Sequence, residues 1–165
     1  MPDGIHIGWL TSCKRHVVAA IAASTDYPLS AKGVRLLMRG RAVIGRVAVD
    51  SRRRVLGYSI HHIGPGRVTV HALAVRRSAR GRGVGRALVE TLMRSLGPHR
   101  RELMTRVRES DEDGRDLWRA MGARVVGVDR DRYDAPCEDA YRLTIAWRPV
   151  VVWKDRRDTR LDIEI

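Results

Sequence analysis

The 165-residue sequence has no apolar run of the ~18–20 residues that a bilayer-spanning helix needs, so no membrane span is expected. It has only two cysteines, Cys13 and Cys137, far apart and without zinc spacing. Neither a disulfide framework nor a metal site is expected from them, and both read as small buried residues. Lysine is nearly absent, occurring only at Lys14, Lys32 and Lys154, although Lys and Arg total 32 against 19 Asp and Glu. The net charge of +13 is therefore almost all arginine, whose planar fork of donors suits phosphate. These arginines are scattered over every segment, so charge alone marks no site. It leaves open a solvated surface or a ribosomal or nucleic-acid partner. Residues 1–10 lack a charged stretch followed by an apolar one; no secretory signal is expected, and a reducing cytoplasm is the expected setting. There is no internal repeat and no low-complexity segment. The length and the hydrophobic fraction of 44% fit one domain with a real core.

Hydrophobic periodicity, caps and breakers predict the order β-α-α-β-β-β-α-β-α-β-β. A strand over 5–10 leads to a helix over 13–24, capped by Thr11 or Ser12, with Val17, Val18, Ile21 and Ala22 on one face. Pro28 and Ser30 start a second helix over 30–38 that ends at Gly40. Strands follow at 42–49, 55–63 and 67–75, the last two joined by Gly64-Pro65-Gly66. A basic, glycine-rich loop over 76–85 leads into a helix over 84–96, stopped by Gly97-Pro98. A strand over 102–108 precedes a helix capped by Ser110 or Asp111 that ends near Met121-Gly122. A strand over 123–128, a polar loop over 129–138 and a strand over 140–147 complete the pattern. Residues 149–165, with Val150-Val151-Val152 and then a charged run, read as an extension, either an added strand or a segment that orders on contact.

The chemistry concentrates at Arg80-Gly81-Arg82-Gly83-Val84-Gly85, directly between a predicted strand and a predicted helix. Glycines let the backbone approach an anion closely. The first turn of the helix offers unpaired N–H groups and the positive end of its dipole. Arg76, Arg77, Arg80, Arg82 and Arg86 add charge at the same point. The combination reads as a pyrophosphate seat; the plain alternative is a solvated basic turn. It is not a dinucleotide fingerprint, because the glycine spacing differs from G-x-G-x-x-G. It is not a P-loop either, because Gly85 is followed by Arg86-Ala87.

Arg80-x-x-Gly83-x-Gly85 resembles the Q/R-x-x-G-x-G/A motif of the GNAT superfamily of N-acetyltransferases. Leu73-Ala74-Val75 resembles the end of that family's fourth strand. The resemblance spans residues 5–148 and is most specific over 67–97. The layout is most similar to the ribosomal-protein alanine N-acetyltransferase branch, where a Tyr-containing loop precedes an Asp-Ala pair, as Tyr133 precedes Asp139-Ala140 here. It implies an α/β domain over residues 1–148, with a central mixed sheet of about seven strands, splayed between strands four and five and flanked by helices. It also implies acetyl-CoA as cosubstrate in the gap, no metal, and direct acetyl transfer to a primary amine, either a protein N-terminus or a small amine. By the same resemblance the backbone of Leu73, Ala74 and Val75 pairs with pantetheine and the acetyl carbonyl. The N–H groups of Arg80, Gly81, Arg82, Gly83, Val84, Gly85 and Arg86 hold the pyrophosphate. Asp111 stands where the family commonly has an Asn on the pantetheine arm, and an ionised Asp only accepts. Trp118 falls beside the thioester as a wall of the acyl pocket.

The catalytic positions depart from the branch. Its strand-five Glu and its Tyr on the next helix fall on Arg106 and Trp118, and arginine stays protonated. His71-Ala72-Leu73-Ala74-Val75 is similar to the H-A-L-A-V segment of serotonin N-acetyltransferases, whose strand-four His relays a proton through water. His71 is therefore the candidate base or relay; strand alternation puts it on one face with Leu73 and Val75, and its ordinary pKa is about 6.5. The second His of that pair is here Thr69. Tyr133 is a candidate acid or positioning group, Tyr141 the same or a core residue, and water is the alternative proton donor. His61 and His62 point to opposite faces, so at most one reaches the cleft. Trp9, Trp147 and Trp153 read as packing, and Glu109 to Asp113 as a helix N-terminus. The rival functional readings are a catalytically inactive acyl-CoA-binding module and a ribosome- or nucleic-acid-associated protein.

Overall fold

A computed structural model describes residues 4–10, 15–23, 31–134 and 137–149. The described strands are β1 (His6–Trp9), β2 (Val43–Val49), β3 (Val55–Ile63), β4 (Arg67–Val75), β5 (Glu102–Arg108), β6 (Arg124–Asp134) and β7 (Cys137–Ala146). The helices are α1 (Arg15–Ala23), α2 (Ala31–Leu37), α3 (Val84–Met93) and α4 (Glu112–Ala120). All seven strands form one sheet in the order β1-β2-β3-β4-β5-β7-β6. Its β4–β5 pair is parallel and the other pairs are antiparallel. The fold is the expected mixed α/β sheet flanked by helices.

Apolar spacing decides which helix covers which face. Val84, Ala87, Leu88, Val89 and Leu92 are buried along one side of α3. Val89 and Leu92, with Trp118 of α4, meet Val68, Val70, Leu103, Val107, Leu143 and Ile145 from the sheet, while Val84, Ala87 and Leu88 meet Ala48 of β2 and Leu56 of β3. On the opposite face Val18, Ile21 and Ala22 of α1 and Val34 of α2 pack against Val47, Tyr58 and Ile60. The helices therefore cover the sheet unequally: α1 and α2 pack on residues of β2, β3 and β4, whereas α3 spans from β2 and β3 across β4, and Trp118 of α4 joins it over β5 and β7. Asp111 caps α4, its Oδ1 accepting from the Gly114 N–H at 2.9 Å.

Three expectations change. The polar loop over 129–138 is strand at its described positions: Tyr133 pairs with Glu138 and Asp134 with Cys137, after a register shift that follows Asp129. β6 is an edge strand exposed on both sides, so no apolar alternation betrays it. Its Val125, Val126 and Val128 are among the exposed large hydrophobic residues. Cys137, expected to be buried, is exposed and free because it lies at the tip of this hairpin. The third predicted helix stops at Met93 instead of residue 96. Trp9 does lie on an edge strand but is 56% exposed, with the Arg46 guanidinium 3.3 Å over its ring. Cys13, the Thr11, Ser12, Pro28 and Ser30 start signals, Trp153 and the extension beyond residue 149 lie outside the described residues.

His61 is only 2% exposed, and its Nδ1 has no hydrogen-bond partner. Burial first, then the charges of Arg46 and His71, push its pKa down to about 4. The folded state thus resists a proton that the unfolded state takes up near pH 6.5, and stability falls as pH drops below that value. Between about pH 7.5 and 5.5 wild type should lose about 1 kcal/mol more stability than His61→Gln, measured by urea denaturation. Parallel pH dependences of the two proteins would show that His61 is not held neutral.

Candidate active site

Only four residue pairs join β4 to β5: Arg67 with Glu102, Val68 with Leu103, Thr69 with Met104 and Val70 with Thr105. Beyond Val70 the strands part. Ala72 to Val75 continue to pair with β3, and Arg106 to Arg108 with β7. Each strand therefore turns one unpaired backbone edge toward the gap. The register with β3 explains the parting. Ile60 faces Ala72 but His61 faces Val70, which leaves His71 as the extra residue of a β-bulge. A bulge bends its strand and increases the local twist. It also overturns the alternation expected for His71: Val68 and Val70, not Thr69 and His71, share a core cluster with Leu73.

The gap opens into a cleft of about 880 Å³. Of the fourteen residues proposed for the site from sequence, all but Arg82 line it: His71, Leu73, Ala74, Val75, Arg80, Gly81, Gly83, Val84, Gly85, Arg86, Asp111, Trp118 and Tyr133. Sequence reasoning missed Tyr58 and Thr105, and treated Arg106 only as a departure from a pattern. Tyr58 alternates with core residues along β3 and carries no motif that would mark it.

One end of the cleft has the features that suit an anion. After a short 3₁₀ turn at Arg77–Ala79, Gly81 and Gly83 take φ of +73° and +78°, a region that side-chain-bearing residues rarely occupy. Gly83 is the N-cap of α3 and brings no capping side chain; the Ala87 N–H is bonded back to its carbonyl. The first-turn N–H groups of α3 are left for an outside acceptor. A Cβ on Gly85 would stand 3.0 Å from Leu117 of α4, so glycine lets the start of α3 close on that helix. Arg80 lies 3.7 Å from Asp113 and Arg86 3.0 Å from Glu90, both solvent-exposed pairs that an incoming phosphate can replace.

The middle of the cleft is apolar. Leu73, Val75, Leu117 and the 4%-exposed Trp118 line it. Asp111 also lines it, but its carboxylate holds the cap of α4.

The far end is polar. His71 is exposed, yet desolvation, followed by the charges of His62 and Arg106, holds its pKa below the usual 6.5. The Arg108 guanidinium sits 3.8 Å over the Tyr133 ring and pairs with Glu138 at 3.2 Å. Burial keeps the Tyr133 phenol above its ordinary pKa, and that of Tyr58 is pushed up to about 12. Both phenols therefore stay protonated at neutral pH. Tyr141 packs against the core cluster under α4 and does not line the cleft, and His61 is buried away from it. Among the described residues no group of three or more His, Cys, Asp or Glu is arranged to hold a metal ion, and no helix is long and apolar enough to cross a membrane.

This geometry has counterparts. Residues 54–123, from the start of β3 past the end of α4, match the family model for acetyltransferases of the GNAT family. The ribosomal-protein-S18-alanine N-acetyltransferase of Escherichia coli superposes with a TM-score of 0.76 at 19% identity, over 91% of this chain and 99% of that one. NAA60 of Arabidopsis thaliana in complex with acetyl-CoA gives 0.74 at 16% identity, over 86% and 98%. A GCN5-related N-acetyltransferase of Kribbella flavida gives 0.66 at 24% identity, over 89% and 100%. No curated protein matches the sequence. The strands that form the cleft and the helices that follow them thus match the GNAT acetyltransferase model, and the chain shares the fold of these acetyltransferases over most of its length.

The loop assignment has a direct test. Gly83→Glu places a like charge and a strained φ at the start of α3. Calorimetry should show CoA affinity reduced about 100-fold or more, while the melting temperature falls by only about 3 °C. Unchanged CoA affinity would remove the loop from the site.

Proposed function

We propose that the protein is an acetyl-CoA-dependent N-acetyltransferase that moves the acetyl group directly to a primary amine, with a protein N-terminus as the favoured acceptor. The observation that carries this reading is the parting of β4 from β5 in line with the glycine-bounded start of α3. One element offers backbone hydrogen-bonding edges for an extended amide-containing arm, and the other offers N–H groups for the pyrophosphate at its end. In this reading the backbone of Leu73, Ala74 and Val75 receives the pantetheine and aligns the thioester carbonyl. The segment from Arg80 through Gly81, Arg82, Gly83, Val84 and Gly85 to Arg86 grips the diphosphate, and Trp118 walls the acyl group. Asp111 contributes the cap of α4 rather than a bond to the cosubstrate.

The chemistry asks for a neutral amine, a polarised carbonyl and a proton for the departing thiolate. The amine lone pair attacks the carbonyl carbon, the C–S bond breaks, the nitrogen gives up one proton and the sulfur gains one. His71 is neutral at pH 7 because its pKa is lowered, so it can accept the amine proton directly or through water. Tyr133, whose phenol stays protonated, is the proposed donor to sulfur. Holding amine and thioester together in the cleft supplies much of the rate. The acceptor choice follows the layout shared with the E. coli enzyme, whose name specifies a ribosomal-protein alanine. A reducing cytoplasm fits the free, exposed thiol of Cys137.

Two measurements test this. Incubation with acetyl-CoA and a library of peptides and small amines, read by mass spectrometry, should show acetyl groups on peptide α-amines. CoA binding without transfer to any amine would instead favour a non-catalytic acyl-CoA-binding module. His71→Ala should lower kcat by about 100-fold with little change in acetyl-CoA affinity, and should flatten the acid limb of the kcat/KM profile, which in wild type lies below about pH 6.5. A wild-type rate and pH profile in that variant would take His71 out of the mechanism.

A further inference from the structure

We propose that the acceptor end of the cleft selects an amine whose carrier bears a carboxylate close by, and that Arg106 is the residue that pairs with it. The proposal rests on the acetyltransferase reading above and adds the charge of the acceptor.

Arg106 is the first residue of β5 beyond the last pair with β4, so it stands where the gap opens. Its neighbours Thr105 and Val107 are buried, whereas Arg106 is exposed. Val107 packs toward α3 and α4, so alternation turns Arg106 to the opposite face. Its Nε donates to Asp129 Oδ2 at 2.6 Å, and the other oxygen of Asp129 lies 3.0 Å from Arg142 Nε. Two guanidiniums thus share one carboxylate, and the group keeps one net positive charge. A guanidinium has five N–H donors. The Asp129 bond occupies the one on Nε and steadies the plane, leaving the terminal nitrogens for a bidentate anion. Arg108 is already matched by Glu138.

The lining carboxylates lie elsewhere. Asp111, Asp113 and Asp116 belong to the cap and first turns of α4, and Asp111 is bound to the backbone there. Among the described residues lining the cleft, the side formed by His71 and Arg106 therefore presents no carboxylate to receive a cationic peptide; Asp111, the lining carboxylate felt by Tyr133, is held by the cap of α4. A positive site repels an ammonium ion and lowers the pKa of an amine held in it, which favours the neutral nucleophile. A carboxylate on the same carrier offsets the repulsion and orients the amine. Two sources have this chemistry: an Asp or Glu side chain just after a protein N-terminus, and the α-carboxylate of a free amino acid.

The test uses the full chain and peptides with amidated C-termini that begin Ala-Asp-Asp, Ala-Asn-Asn or Ala-Lys-Lys, with free alanine as a further arm. At low salt the acidic peptide should exceed the Asn peptide about tenfold in kcat/KM and in affinity for the CoA-loaded protein, and the gap should shrink as salt rises. Arg106→Gln should bring the ratio near one without changing acetyl-CoA affinity, and Arg106→Lys should restore part of it. A free-alanine rate above that of the acidic peptide would assign the α-carboxylate as the source. Equal handling of acidic and Asn peptides, or a preference that survives Arg106→Gln, overturns the proposal. Arg106-dependent binding of the acidic peptide without acetyl transfer would uphold the recognition and contradict the acetyltransferase reading. Transfer without charge preference would do the reverse.

Discussion

A parallel ladder that ends after four pairs leaves two backbone edges that must be satisfied by something other than each other. That constraint organises the molecule. The bulge at His71 bends β4 away from β5, and the β3 pairing on one side and the β7 pairing on the other hold each strand in its parted position. The core beneath keeps the opening from collapsing, because Trp118, Leu117 and Val107 fill the space under it with side chains packed to α3 and β7. A ligand able to bridge the gap must carry alternating amide donors and acceptors on a narrow chain, with an anion at the end near α3.

Arginine, so abundant in this chain, takes two distinct parts around the cleft. Near α3 it surrounds the first-turn backbone N–H groups of a helix whose N-cap is glycine, so its charge adds to the positive end of the helix dipole. At the opposite end arginine stands in the neighbourhood where a base would ordinarily be sought, and Asp129 and Glu138 are taken up by guanidiniums. His71 and Tyr133 are the other titratable groups lining the cleft there.

Much of this could be read from the residues. The glycines at 81 and 83 marked a backbone open to close approach; that both adopt positive φ is what the structure adds. The strand–loop–helix junction and the order of elements followed from apolar period and caps. The bulge was not legible, because one inserted residue leaves no trace in a run such as Val70-His71-Ala72-Leu73; it is defined only by the partner strand. It is also what moved His71 off the face that simple alternation assigned. The β6–β7 hairpin was hidden for a different reason. An edge strand wet on both sides has the composition of a loop, and only pairing distinguishes them. Cys137 was misplaced as a consequence, and Tyr58 was passed over because a buried strand tyrosine looks the same in the core as at a cleft wall.

The most direct measurement is amide hydrogen exchange with and without CoA. Protection should be gained along Leu73 to Val75 and through Arg80 to Arg86, with little change in β1 or β2. Protection that appears elsewhere, or none at those two stretches under saturating CoA, would contradict this reading of the cleft.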